Sequence, residues 1–137
     1  MKTIVVGYDG TEASDRALSR AGDIAVAFGS SVILASVSPV MTGTARGGGT
    51  VDPTHPPEES ESLLSAGMSK LAERGLQAES VLGLGDPAEA IVELAAERDA
   101  DLIVVGTREP GFFERLMGHS VSESVQRHAH CDVLIVH

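Results

Sequence analysis

Two short apolar runs, Ile4-Val5-Val6 and Leu102-Ile103-Val104-Val105, constrain this chain more than any other feature, because neither alternates with polar residues. A strand with no polar side must be covered on both faces, which is the condition of a parallel sheet enclosed by helices. Each run stops at a glycine, Gly7 and Gly106. Val32-Ile33-Leu34-Ala35-Ser36-Val37, residues 78–84 and Val133-Leu134-Ile135-Val136 read as three further strands. Helical faces lie between them. Ala13, Ala17, Leu18, Ala21, Ile24, Ala25 and Phe28 recur at three- and four-residue steps, and Gly29 closes that helix. Leu63, Leu64, Met68, Leu71 and Ala72 form a second face ending at Gly75. Asp86-Pro87-Ala88-Glu89 supplies an N-cap carboxylate and a proline at the first helical position, ahead of Ile91, Leu94 and Ala95. Ser120-Val121-Ser122-Glu123 has the spacing of a capping box and turns Val121 and Val125 inward. The order β-α-β-α-β-α-β-α-β predicts a three-layer α/β/α fold with a five-stranded parallel sheet and right-handed crossovers, built as one domain over residues 1–137.

The stretch 39–57 carries Pro39, Gly43, Gly47-Gly48-Gly49, Pro53, Pro56 and Pro57, a composition read as a long mobile loop without regular structure, with Gly47-Gly48-Gly49 as its flexible centre. Glu58, Glu59 and Glu61 then solvate the start of the next helix. Twenty acidic residues against ten basic give a net charge of −10, which repels phosphate backbones and anionic membranes and so argues against nucleic-acid or membrane partners. No apolar run approaches the roughly 20 residues a bilayer demands. The single cysteine, Cys131, forms no internal disulfide. The expected setting is the cytoplasm.

In open α/β sheets ligands sit outside the carboxyl ends of the strands, where the strand order reverses. That rule selects the loops after Gly7, Val37 and Gly106. Gly106-Thr107-Arg108 leads through Gly111 and Gly118 to Ser120 at a helix start, where exposed amides and the helix dipole favour a phosphate. Asp9 reads two ways, as a ligand-facing carboxylate or as an acceptor of turn amides before a helix. His128, His130 and Cys131 are metal-type side chains at close spacing, but no further cluster completes a set, and the expectation is no metal. A Gly-x-Ser-x-Gly elbow, a Walker loop and a full Gly-x-Gly-x-x-Gly fingerprint are all lacking, so the chain is not expected to be an enzyme. A phosphoacceptor receiver domain would need an aspartate ending the third strand, where Leu84-Gly85 stands, and a lysine ending a later one. The only lysines are Lys2 and Lys70.

The blocks Val5-Val6-Gly7-Tyr8-Asp9-Gly10-Thr11-Glu12-Ala13-Ser14, Gly85-Asp86-Pro87-Ala88-Glu89-Ala90-Ile91, Ala100-Asp101-Leu102-Ile103-Val104-Val105-Gly106-Thr107-Arg108, Ser120-Val121-Ser122-Glu123 and His128-Ala129-His130-Cys131-Asp132-Val133-Leu134 resemble the universal stress protein family across essentially the whole chain. The resemblance implies the strand order 3-2-1-4-5 of the adenine nucleotide alpha hydrolase-like fold, and dimerisation through the last strand. Nucleotide-binding members carry a glycine, two residues, a second glycine, nine residues, then a glycine followed by Ser or Thr. On that pattern Gly106 takes the first glycine and Ser120 the hydroxyl, while Glu109 and His119 stand where the other glycines belong. Carried over residue by residue, the resemblance gives Asp9 to the adenosine end, Val37 to the adenine through its backbone, and Gly106, Thr107, Arg108, Ser120 and Val121 to ribose and phosphates.

These readings combine into a non-enzymatic, dimeric stress-response regulatory protein with a degenerate, weak adenine-nucleotide site. The competing reading is a functional sensor of ATP or another adenine nucleotide that uses a reshaped phosphate loop. Neither requires a cofactor, and the identity of any protein partner is left open. The homodimer contact is expected at Val133, Leu134, Ile135 and Val136, with Arg127 and Cys131 at its rim, because an apolar edge strand without proline invites pairing.

Overall fold

The structure, a computed structural model, describes residues 1–38, 40–41, 50–51, 57–107 and 121–137. Strand β1 (Thr3–Gly7) is followed by helix α1 (Glu12–Phe28) and β2 (Ser31–Ser38). Two short strands come next, β3 (Val40–Met41) and β4 (Thr50–Val51). The chain continues through α2 (Pro57–Glu73), β5 (Ala78–Leu84), α3 (Pro87–Glu97), β6 (Leu102–Gly106), α4 (Val121–His128) and β7 (Asp132–Val136).

Five strands form one sheet in the order β5-β2-β1-β6-β7, every neighbouring pair parallel. Numbered by the five sheet strands alone, this is the expected 3-2-1-4-5. The unalternating apolar runs have the meaning read from them. Ile4 and Val6 enter the core shared with Ala17, Leu18, Leu64 and Leu71, whereas Val5 enters the opposite core with Ala88, Ile91 and Val125. Helices α1 and α2 therefore cover one face and α3 and α4 the other.

Helix ends follow local chemistry. Thr11 caps α1, accepting the Ser14 amide, and Gly29 ends it at φ 67°, a left-handed conformation that glycine adopts without steric penalty. Asp86 caps α3 by accepting the Glu89 amide at 2.9 Å, with Pro87 opening the helix. Ser120, the expected cap of α4, lies outside the described residues.

The expectation of no regular structure in 39–57 is corrected in two places. β3 and β4 pair antiparallel, Val40 opposite Val51 and Met41 opposite Thr50, and α2 begins already at Pro57. Val40, Met41, Thr50 and Val51 are apolar or β-branched residues that favour a pleated backbone, and proline is well suited to a first helical turn. The expected mobility of the remaining loop falls on residues outside those described.

Candidate functional site

The sheet reverses direction of winding between β1 and β6, so the carboxyl ends of those strands and of β2 frame the crevice that the topology reserves for a ligand. The strand registers set the level of each candidate. Gly7 pairs with Ala35, so Asp9 and Val37, each two residues further on, stand level; Val6 pairs with Val104, so Gly106 stands level with Tyr8. The fold thus brings Asp9, Val37, Gly106 and Thr107 to one edge. Val121 opens α4. Arg108, Glu109, His119 and Ser120 lie outside the described residues.

Asp9 is built into a small hydrogen-bonded ring at the entry to α1. Its Oδ1 accepts the Thr11 amide at 3.1 Å and the Thr11 hydroxyl at 2.6 Å. The Asp9 amide donates to Ser14 Oγ at 3.3 Å, and Ser14 Oγ in turn donates to the Thr11 carbonyl at 3.0 Å. These bonds match the reading of Asp9 as an acceptor of turn amides, and the residue also stands at the carboxyl edge of the sheet. Ser14, buried beneath it, is a structural participant for which sequence reasoning assigned no role.

Gly106 also meets a packing need that the sequence did not announce. A Cβ at this position would overlap the carbonyl group of Ala13, so the absence of a side chain lets the first turn of α1 rest against the end of β6. Thr107 is also tied locally. Its amide donates to the Val136 carbonyl at 2.9 Å, and its hydroxyl lies 3.4 Å from His137 Nδ1. Arg16 Nε donates to the His137 carbonyl at 3.2 Å, joining α1 to the end of β7 at the same edge.

A second polar group borders the edge. The Tyr8 hydroxyl donates to Asp15 Oδ1 at 2.7 Å, and the Lys70 ammonium donates to the same oxygen at 2.8 Å. Lys70 holds the Asp15 carboxyl below its ordinary range, helped by the Tyr8 hydrogen bond and opposed by burial. Burial, then the Asp15 carboxylate, push the Tyr8 phenol above its ordinary value. The sequence carried one hint of this group, a tyrosine directly before Asp9, but nothing that pairs it with Lys70.

The metal-type residues near the carboxyl end of the chain do not converge. His128 Nδ1 lies 2.9 Å from the Ser124 carbonyl, and burial, then Asp132 and Asp101, push the Cys131 thiol upward, away from its reactive form. Among the described residues no three His, Cys, Asp or Glu side chains are grouped so as to hold a metal ion, and no helix is long and apolar enough to cross a membrane.

Known proteins share this architecture. The model of the universal stress protein family matches residues 1–137. Universal stress protein MJ0531 of Methanocaldococcus jannaschii is 35% identical over 138 residues, an alignment spanning 98% of this chain and 81% of that protein. Universal stress protein Rv1636 of Mycobacterium tuberculosis is 35% identical over 153 residues, spanning 99% and 96%. A crystal structure of a universal stress protein in complex with cAMP superposes with a TM-score of 0.77 at 33% identity, covering 99% of this chain and 97% of that one.

Proposed function

Because the chain belongs to the universal stress protein family, we propose that it is a non-enzymatic regulatory protein that binds an adenine nucleotide at the carboxyl edge of its sheet, and that it favours a ligand of low charge over ATP. The observation that carries the reading is the convergence of Asp9, Val37, Gly106 and Thr107 at the point where the strand order reverses. The similarity to a relative crystallised with cAMP supports adenine as the base.

Electrostatics select among adenine nucleotides. Asp9 and Glu12 stand at the entry to α1, where Asp15 is paired with Lys70, the whole chain carries −10, and Glu109 and His119 occupy positions where the phosphate-binding pattern has glycine. A carboxylate about 6 Å from one phosphate charge costs roughly 3 kcal/mol at an effective dielectric near 20, before screening. A triphosphate tail meets this repulsion at each of its charges. A cyclic monophosphate meets it once. At about 1.4 kcal/mol per tenfold, ATP is expected to bind in the high micromolar range or weaker, and cAMP or AMP at least about tenfold tighter. Isothermal calorimetry with the three nucleotides tests this. A low-micromolar ATP constant, or ATP carried through purification, overturns the preference, and absence of heat with all three overturns the binding role.

The proposal extends to a homodimer. β7 is an edge strand, and an edge with open amides and carbonyls is satisfied by pairing with its copy about a two-fold axis. A cytoplasmic setting fits a lone cysteine that forms no internal disulfide.

A further inference from the structure

One face of α2 runs beside the loop that carries Asp9. Leu63, Gly67 and Lys70 are spaced i, i+4 and i+7 and so share that face. A Cβ on Gly10 would stand 2.5 Å from Leu63 Cδ2, so the side chain of Leu63 closes over the loop. A Cβ on Gly67 would stand 2.5 Å from Leu34 Cδ2 and 3.4 Å from Tyr8 Cε2, so this glycine lets α2 approach β2 and the ring of Tyr8, the residue that follows β1. Lys70 completes the line through its 2.8 Å contact with Asp15 Oδ1. The three contacts bring α2 against Gly10, Tyr8 and Asp15, which flank Asp9 in sequence or in space.

The last contact is different in kind from the other two. Leu63 and Gly67 act through shape, whereas Lys70 shares an acceptor oxygen with the Tyr8 hydroxyl, which donates to it at 2.7 Å. Tyr8 is only 5% exposed, and its amide donates to the Ala35 carbonyl at 2.8 Å, so Tyr8 is fixed at both backbone and hydroxyl. The residue after it is Asp9. We infer that Lys70 is a positioning residue for the ligand edge: delivered by α2, its ammonium fixes the Asp15 carboxylate, which holds the Tyr8 hydroxyl and thereby the backbone that presents Asp9. The final link, from loop to ligand, rests on the nucleotide reading given above.

The composition supplies the probe. Tyr8 is the only tyrosine and there is no tryptophan, so phenolate absorbance and intrinsic fluorescence report on this one side chain. Asp15 from α1 and Lys70 from α2 are the charged groups acting on the phenol, Asp15 raising its proton affinity and Lys70 lowering it. In the ligand-free protein, Lys70→Met is therefore expected to move the tyrosine ionisation midpoint upward and Asp15→Asn to move it downward. Amide exchange at Gly10 and Thr11 is expected to quicken by about threefold in Lys70→Met, the scale of an exposed ion pair, and to stay at the wild-type rate in Lys70→Arg. AMP affinity by calorimetry is expected to fall by about the same factor in Lys70→Met and to be restored in Lys70→Arg.

Wild-type exchange together with a wild-type tyrosine midpoint in Lys70→Met overturns the clamp. Altered exchange with unchanged AMP affinity overturns the link to ligand. If the unmodified protein gives no heat with AMP, the nucleotide reading fails, and the exchange and absorbance measurements still decide the clamp. Lys70 is half exposed at the surface, its side chain retaining 54% of its accessible area, so these substitutions leave the core intact.

Discussion

Gly106 illustrates how one residue type serves two needs that a sequence does not separate. A glycine after a buried strand in a phosphate-binding pattern suggests backbone approach to a ligand, yet here the nearest atoms to a Cβ belong to the Ala13 backbone. Backbone cannot rotate aside as a side-chain tip can, so Gly106→Ala is expected to destabilise the fold by about 1–3 kcal/mol. A lower denaturant midpoint at unchanged slope checks it, and wild-type stability rejects the packing role. Asp15 makes a prediction in pH. Its carboxyl titrates below the ordinary range in the folded protein because of Lys70 and Tyr8, so its contribution is present above the unfolded-state value and is lost as pH falls through the depressed one. The stability difference between wild type and Asp15→Asn is expected to be constant at neutral pH and to shrink below about pH 4. Chemical denaturation across that range measures it, and a difference that grows in acid reverses the assignment.

At the level of elements, the caps carry measurable stability. Asp86 is exposed and its carboxylate satisfies the Glu89 amide at the start of α3, so Asp86→Ala is expected to cost about 1 kcal/mol and Asp86→Asn much less. Thermal unfolding of the two variants separates the loss of the cap from the loss of charge. This helix start was legible because cap, proline and glutamate are adjacent in sequence. Four of the sheet strands were legible for a similar reason, since a run of three or four apolar residues can be recognised without knowing its neighbours, and β5 was placed by the helices on either side of it. The β3–β4 pair was not, because two-residue strands hold no period and the glycines between them dominate the local composition. The site divides along the same line. Asp9, Val37, Gly106 and Thr107 follow from strand ends, which local pattern marks. The Tyr8, Asp15 and Lys70 group joins α1 to α2 across 55 residues of chain, and nothing in the spacing of three polar residues announces that they share an oxygen. The phosphate segment from Arg108 to Ser120 lies outside the described residues, so its glycine departures bear on the proposed ligand through sequence alone.

For the whole molecule the open question is how the two sheet edges are managed. β5 interrupts its edge with Glu79 and Ser80, both exposed, and Arg98 lies across Glu79 at 2.5 and 2.7 Å. Charge on an edge strand opposes pairing with another chain. β7 has no such interruption after Asp132: Val133, Leu134 and Ile135 are half-buried and Val136 is buried. The asymmetry makes β7 the edge expected to carry the proposed self-association. Its test must avoid the strand's own side chains, because Leu134 packs on the core under α1 while Val133 and Ile135 pack on the core under α3 and α4. A lysine at Leu134 or Ile135 would therefore damage the monomer's core as well as the proposed contact. Sedimentation of the unmodified protein is free of that ambiguity. A two-fold dimer is expected at tens of micromolar protein, and added salt is expected to strengthen it by screening the repulsion between two copies that each carry −10. A monomer under those conditions, at low and high salt alike, would leave β7 an unpaired edge and remove the dimer from the proposed function.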